Sequence, residues 1–372
     1  MKIGIMTFWW SQDNYGQLLQ CYALQKYLRD VGHDAYLIRF KNEEKSPLWQ
    51  RALKASNPVL LFRYIKSKFN SRKVLKEQKN NSRNFDDFKK KYIKQSEVFY
   101  NSYRQLKDNP PEADVYIVGS DQVWNFSIFS NKKEYVYKSI HSYMLDFGDD
   151  SIKRMSYAAS WSVKSISEEL ISEIKPLIEK FSYISVREEN GISLCKQCGY
   201  DNAELVCDPT LLLSADVYRN LYMGENVRKI DKKYIMLYML NNECDFDIQR
   251  VYDFAKEKDL EVVYVTGNGV INNREKFFAT IPEWLYLIDN AEYVITNSFH
   301  CCVFSSIFNK KFGVVKLKGK VEGMNTRFES LFNFLGIESR YVDESFSDLE
   351  KEYKINNVKL ESRFMEILNA EN

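Results

Sequence analysis

Residues 2–8 read Lys2-Ile3-Gly4-Ile5-Met6-Thr7-Phe8, and after a short polar stretch Tyr15 to Val31 places Leu24, Tyr27, Leu28 and Val31 at helical spacing. Gly32-His33-Asp34 then breaks the pattern, and a second apolar run leads to Phe40. A short apolar run, an amphipathic helix, a glycine stop and another apolar run spell a β-α-β unit. The same alternation continues outward from this stretch. Residues 113–119, 154–159 and 183–188 read as strands, with helices over 168–180 and 190–198. Strands alternating with helices predict a mostly parallel sheet covered on both faces.

A second series follows Asp208-Pro209-Thr210, where proline disfavours helix in the residue before it and marks a boundary. Strands are expected over 233–240, 261–267, 291–296 and 311–317, with helices over 245–259, 282–289 and 300–309. With 372 residues the chain exceeds what one hydrophobic core usually supports, so an α/β protein of two Rossmann-like domains is expected. The divisions are 1–210, carrying a basic helical insertion at about 41–110, then 211–345, and a last segment 346–372 whose helix is expected to return to the first domain.

Net charge is +2, which suggests no polyanionic partner and no nucleic acid, but the charge is uneven. Lys41 to Pro110 holds 18 Lys or Arg against 7 Asp or Glu, leaving the remainder acidic. Within it, Pro47 to Lys73 interleaves Leu48, Trp49, Leu60, Leu61, Phe62, Ile65 and Phe69 with basic residues. Such a segment either packs an apolar stripe on its own domain or lies peripherally on an anionic inner membrane leaflet. No run of 18 apolar residues exists, the start lacks the pattern of a secretion signal, and the seven cysteines are scattered. A cytoplasmic location with reduced thiols is the expectation.

Three strand ends carry unusual side chains. Asn14-Tyr15-Gly16-Gln17 follows the first strand, where glycine admits a close approach and Asn14 suits a helix cap. Ser120-Asp121-Gln122 with Trp124 follows the strand ending at Gly119; carboxylate and amide groups bind hydroxyls and an indole covers a sugar ring, though a cap and a core tryptophan would look alike. Ser298-Phe299-His300 opens a helix, and a histidine at a helix N-terminus can meet an anion or protonate a carbon. Arg187 and Arg327 lie near element ends and offer bidentate forks for a phosphate or carboxylate, or surface pairs with Glu188 and Glu329. Cys195-x-x-Cys198 lacks two of four zinc ligands, and no glycine-rich nucleotide loop follows a strand, so neither metal nor nicotinamide is expected.

Taken in order, Asn14-Tyr15-Gly16-Gln17, Gly119-Ser120-Asp121-Gln122-Val123-Trp124, Ser156-Tyr157-Ala158-Ala159-Ser160, Ser185-Val186-Arg187-Glu188, Cys207-Asp208-Pro209-Thr210 and Ser298-Phe299-His300 resemble the polysaccharide pyruvyl transferase family. The resemblance implies a GT-B-like arrangement with the active site in the interdomain cleft, phosphoenolpyruvate as co-substrate, a sugar acceptor that is free or lipid-linked, and no cofactor or metal. It implies His300 as acid, Asp121 as base, and Arg187, Arg327, Ser298 and His300 around the donor. Asn14, Tyr15, Gly16, Ser120, Asp121, Gln122 and Trp124 would then face the acceptor. Better-described relatives carry an arginine where this chain has Ser298. The competing readings are a GT-B glycosyltransferase using a nucleotide sugar and a non-catalytic binder of anionic glycans through the basic region.

Overall fold

The structure is a computed structural model that describes residues 1–42, 83–128, 133–241, 244–267, 270, 272–342, 346–353 and 362–370. β1 (Lys2–Met6), α1 (Tyr15–Asp30) and β2 (Asp34–Phe40) form the β-α-β unit, with Ile3 paired to Ala35 and Ile5 to Leu37 in parallel register. Asn14 starts the helix by accepting the Gln17 N–H, and Gly32 ends it at φ +94°, a left-handed conformation glycine takes without steric cost.

β3 (Gln95–Tyr100), β4 (Val115–Val118), β5 (Lys153–Ser156) and β6 (Phe181–Tyr183) complete the first sheet, in the order β3-β2-β1-β4-β5-β6. Around it lie α2 (Phe85–Tyr92), α3 (Tyr103–Asp108), α4 (Lys133–Tyr143), α5 (Glu168–Ile178) and α6 (Glu189–Gln197). β3 corrects the reading of 41–110 as wholly helical: Gln-Ser-Glu-Val-Phe-Tyr is an edge strand beside β2, and its polar, half-buried face hides it from an apolar-run search. Residues 43–82, which hold nearly all of the basic amphipathic stretch, lie outside the described residues. Among the described residues no helix is long and apolar enough to cross a membrane.

A small pair, β7 (Ser185–Val186) and β8 (Glu204–Leu205), leads towards the second half. There α7 (Ala215–Met223), β9 (Tyr234–Met239), α8 (Gln249–Glu257), β10 (Glu261–Thr266), α9 (Ile281–Asn290), β11 (Tyr293–Thr296), α10 (Phe299–Ile307), β12 (Lys311–Val314) and α11 (Thr326–Leu335) surround a parallel sheet of order β10-β9-β11-β12. The last helix, α12 (Ser362–Asn369), sets Phe364 and Leu368 among Ile3, Leu24, Tyr157 and Tyr183 of the first half. Lys153 Nζ donates to the carbonyls of Ile367 (3.0 Å) and Ala370 (2.6 Å), satisfying acceptors a helix end leaves open.

The two halves share one apolar core. Tyr15, Leu18, Leu19 and Tyr22 of α1 pack with Tyr238, Trp284 and Phe304 of the second half. Tyr15 stacks on Trp284 at 5.0 Å and 4°, and its hydroxyl donates to the Ala279 carbonyl at 2.8 Å. Tyr15 is therefore a fully buried bolt between the halves, which corrects its expected place against an acceptor. An interface of this kind resembles a cut core more than a labile domain contact.

His141, near the end of α4, ties that helix to its surroundings. Its Nδ1 lies 2.7 Å from Asp146 and its Nε2 2.8 Å from Glu173 on α5, while Tyr103 and Lys180 also bond Asp146. Burial alone would lower its pKa, but the two carboxylates outweigh this and raise it. A raised value means stability fully present below the ordinary histidine range and lost as pH rises through the folded value. The melting-temperature gap between wild type and His141→Gln should therefore be widest near pH 5–6 and shrink above neutrality; a gap that grows with pH would contradict the assignment.

Candidate active site

In parallel sheets, ligands gather beyond the carboxyl ends of strands where the strand order reverses. In the first sheet that point lies between β1 and β4, the strands that deliver residues 7–14 and 119–125. In the second it lies between β9 and β11, and Asn297 bridges it by accepting the Leu240 N–H (2.8 Å) and donating to the Asn241 carbonyl (2.9 Å). Ser298, Phe299 and His300 follow directly. The starts of α1 and α10 meet in the seam, where Gly16 lies against His300.

Asp208, in the connection between the halves, organises the seam. Its Oδ1 accepts from the Thr210 N–H (3.0 Å) and hydroxyl (2.7 Å). Its Oδ2 accepts from the Ser120 hydroxyl (3.0 Å) and from Arg187 Nη1 (2.9 Å). His300 Nε2 stands 3.4 Å from the same oxygen, an ion-pair distance too long for a good hydrogen bond, so that nitrogen is buried without a hydrogen-bonded partner. Burial alone would push the Asp208 carboxyl up, yet the charges of His300 and Arg187 and the bonds from Thr210 hold it well below the usual carboxylate range.

Arg187 keeps Nε and Nη2 buried and unpartnered, and Arg327, at the start of α11, keeps its Nε so. Both guanidiniums lie over the Phe299 ring, at 4.6 and 5.7 Å from its centroid. Burial, followed by the like charge of Arg187, lowers the Arg327 pKa to about 10, against the pull of Glu188, Asp121 and Asp208. Two buried cations held this close are expensive without an anion between or beside them. Glu188 sits next to them, its Oε1 accepting from the Ser160 hydroxyl (2.9 Å) and the Trp161 (2.6 Å) and Ser162 (2.9 Å) N–H groups, and its Oε2 buried without a partner. The cavity between Arg187, Asp208, Phe299 and the α11 side chains of Leu331 and Phe334 holds only about 10 Å³.

The sequence-predicted residues sort into two groups. His300, Arg187, Arg327 and Asp121 come together, with Asp121 held at φ +79°, a strained backbone for a residue other than glycine. Ser298 is the N-cap of α10 and makes no side-chain capping bond. Gly16 belongs here for a steric reason: a Cβ on it would lie 2.1 Å from His300 Cγ and 2.2 Å from Nδ1. Other expectations need correction. Trp124 is fully buried against Trp161 and donates its indole N–H to the Tyr143 carbonyl (3.1 Å), so it offers no ring to a sugar. Ser120 is spent inside, bridging Asp208 and Arg187. Asn14 caps α1, and Gln122 is half-buried with its N–H on Asp121 Oδ1. Asp208 and Glu188 were missed as site residues, because Asp-Pro-Thr reads as a boundary and Arg-Glu as a surface pair.

A model of the polysaccharide pyruvyl transferase family matches residues 14–317, most of the chain. The chain belongs to that family. No curated protein sequence matches this pyruvyl transferase family member. Among solved structures, the S. aureus MnaA-UDP co-structure is similar at TM-score 0.50 and 10% identity, covering 95% of this chain and 92% of that one. The UDP-GlcNAc 2-epimerase from Methanocaldococcus jannaschii follows at 0.48, 12% identity and 99% of both chains, and an alpha-glucosyltransferase in complex with UDP at 0.48, 10% identity, 99% of this chain and 100% of that one. What is shared at such identities is the fold, a GT-B arrangement of two parallel-sheet halves.

In this family member the seam tolerates no side chain at Gly16. Gly16→Ala should displace His300 and lower stability by about 1–3 kcal/mol in urea denaturation. An unchanged midpoint would mean His300 is not packed on α1.

Proposed function

We propose that the chain transfers an enolpyruvyl-derived group from phosphoenolpyruvate to a pair of sugar hydroxyls on a bacterial surface polysaccharide precursor, giving a pyruvate ketal and phosphate. The observation that carries this reading is the pair of buried guanidiniums with unpartnered N–H groups, Arg187 and Arg327, beside the His300 imidazole. Phosphoenolpyruvate holds a phosphate and a carboxylate on three carbons, and two forks set close together match such a dianion. Ser298 replaces the arginine of better-described relatives. By leaving the α10 N-terminus without a side-chain cap, it frees first-turn N–H groups that favour an anion.

In the proposed chemistry an acceptor hydroxyl oxygen bonds to C2 of the donor, and its proton passes to Asp121. His300 delivers a proton to C3, which becomes the methyl group. The bond from C2 to the phosphate oxygen then breaks, and phosphate departs with that electron pair, its charge held by Arg187 and Arg327. A second hydroxyl closes on C2 and passes its proton to the His300 imidazole, neutral since it protonated C3, leaving the ketal, while the proton held by Asp121 leaves with the phosphate. No oxidant or reductant is needed.

Thermal-shift titration tests donor choice directly, because a ligand that binds only the native state raises its melting temperature. Phosphoenolpyruvate should stabilise wild type, UDP should not, and Arg327→Met should abolish the shift; stabilisation by UDP alone would favour a nucleotide-sugar enzyme. The phosphoenolpyruvate shift should also fade as pH rises through about 10, where Arg327 loses its charge. His300→Gln should keep a cooperative melt at a lower temperature, while phosphate release, assayed on free and lipid-linked oligosaccharides well below that melt, falls about 10²-fold or more. Near-normal release would remove His300 from the chemistry.

A further inference from the structure

A cavity of about 470 Å³ lies away from the arginine pair, between α4 and α5. That size is within the roughly 300–1,000 Å³ typical of small-molecule sites. Val136, Ile140, Val163 and Leu170 make an apolar floor. Polar side chains line it as well, Asn125, Ser127, Ser165, Ser167 and Glu173 among them, and Tyr137 is 45% exposed.

Its position ties it to the candidate active site. Asn125 and Phe126 line it from the segment that carries Asp121, and Val163 lines it from the segment whose Trp161 and Ser162 N–H groups bond Glu188. The two segments are pinned together, Ser160 N–H donating to the Asp121 carbonyl (3.0 Å) and Trp124 N–H to the Ser160 carbonyl (3.2 Å). Both leave the carboxyl ends of neighbouring strands, β4 and β5, so the cavity opens on the same end of the sheet as the seam. The wall is also stiff, since Tyr137 packs on His141 at 4.1 Å and His141 holds Glu173 at 2.8 Å.

We infer that this cavity is a subsite for a neutral saccharide unit of the acceptor, remote from the hydroxyls that react. The inference rests on the glycan acceptor of the proposed function. An apolar floor with an exposed tyrosine fits the hydrophobic face of a sugar ring, and amide, hydroxyl and carboxylate groups around it fit its hydroxyls. Among the described residues Glu169 pairs with Lys133 and Glu173 with His141, so no unpaired cation is offered to an acidic sugar. A simple alkyl chain would leave the polar side chains unmatched. Such a subsite anchors a glycan of more than one unit while its reacting sugar reaches Asp121, so remote binding energy positions the reaction.

The test uses the full chain, labelled, on a glycan array of neutral hexose and N-acetylhexosamine oligosaccharides of two to six units, with acidic oligosaccharides and a dodecyl chain alongside. Wild type should retain neutral oligosaccharides, and Val163→Trp and Tyr137→Ala should each weaken retention at least tenfold while the phosphoenolpyruvate thermal shift stays unchanged. Retention unaffected by both variants, retention only of acidic glycans or of the dodecyl chain, or no retention of any neutral glycan overturns the inference. Should Val163→Trp lose its cooperative melt, Tyr137→Ala decides by the same criterion. The donor reading fails separately, through loss of the phosphoenolpyruvate shift with glycan retention intact.

Discussion

One buried carboxylate, Asp208, holds the two halves of the site in register. Its oxygens take a hydrogen bond from Arg187, bonds from Ser120 and Thr210, and the charge of His300, all without contact with water. Removing one partner of a buried pair strands the other at a cost of about 3–5 kcal/mol. The carboxylate thus fixes one edge of the Arg187 fork and leaves its other N–H groups unused. Because Asp208 and Arg187 come from the first half and His300 from the second, this contact makes one site out of two sheets.

The surrounding core explains why that register is stable. Tyr15 stacks flat on Trp284, and Gly16, the next residue, is the only kind of residue that lets the His300 imidazole lie against α1. Stacking of this sort contributes about 0.5–1.5 kcal/mol beyond the area it buries. A seam packed like an interior keeps the imidazole and the first-half carboxylates at fixed separation. The outer wall belongs to the same core, since α11, which carries Arg327, sets Phe328, Leu331, Phe332 and Leu335 in one cluster with Tyr15 and Trp284.

Much of the fold was legible because parallel sheets bury both faces and their strands read as apolar runs, as β1, β4 and β9 do. β3 was not, since an edge strand with one wet face carries mixed residues. The site was legible where chemistry and position coincided: His300, Arg187, Arg327 and Asp121 stand at strand or helix ends and do converge. Trp124, Tyr15 and Ser120 misled for the converse reason, because an aromatic or hydroxyl side chain beside a strand end serves a buried seam as readily as a ligand. Asp208 was hidden by its neighbour, since a proline after aspartate signals a boundary whether or not the carboxylate has other work.

The central claim is that Arg187 and Arg327 spend their free N–H groups on one small dianion beside His300. The most direct measurement is a crystal structure of the chain with phosphoenolpyruvate bound. The account predicts phosphate or carboxylate oxygens within hydrogen-bond distance of Arg187 Nη2 and the Arg327 guanidinium, with the His300 imidazole facing the enol carbon. Donor density elsewhere, with both guanidiniums unpartnered where they now lie, would contradict it.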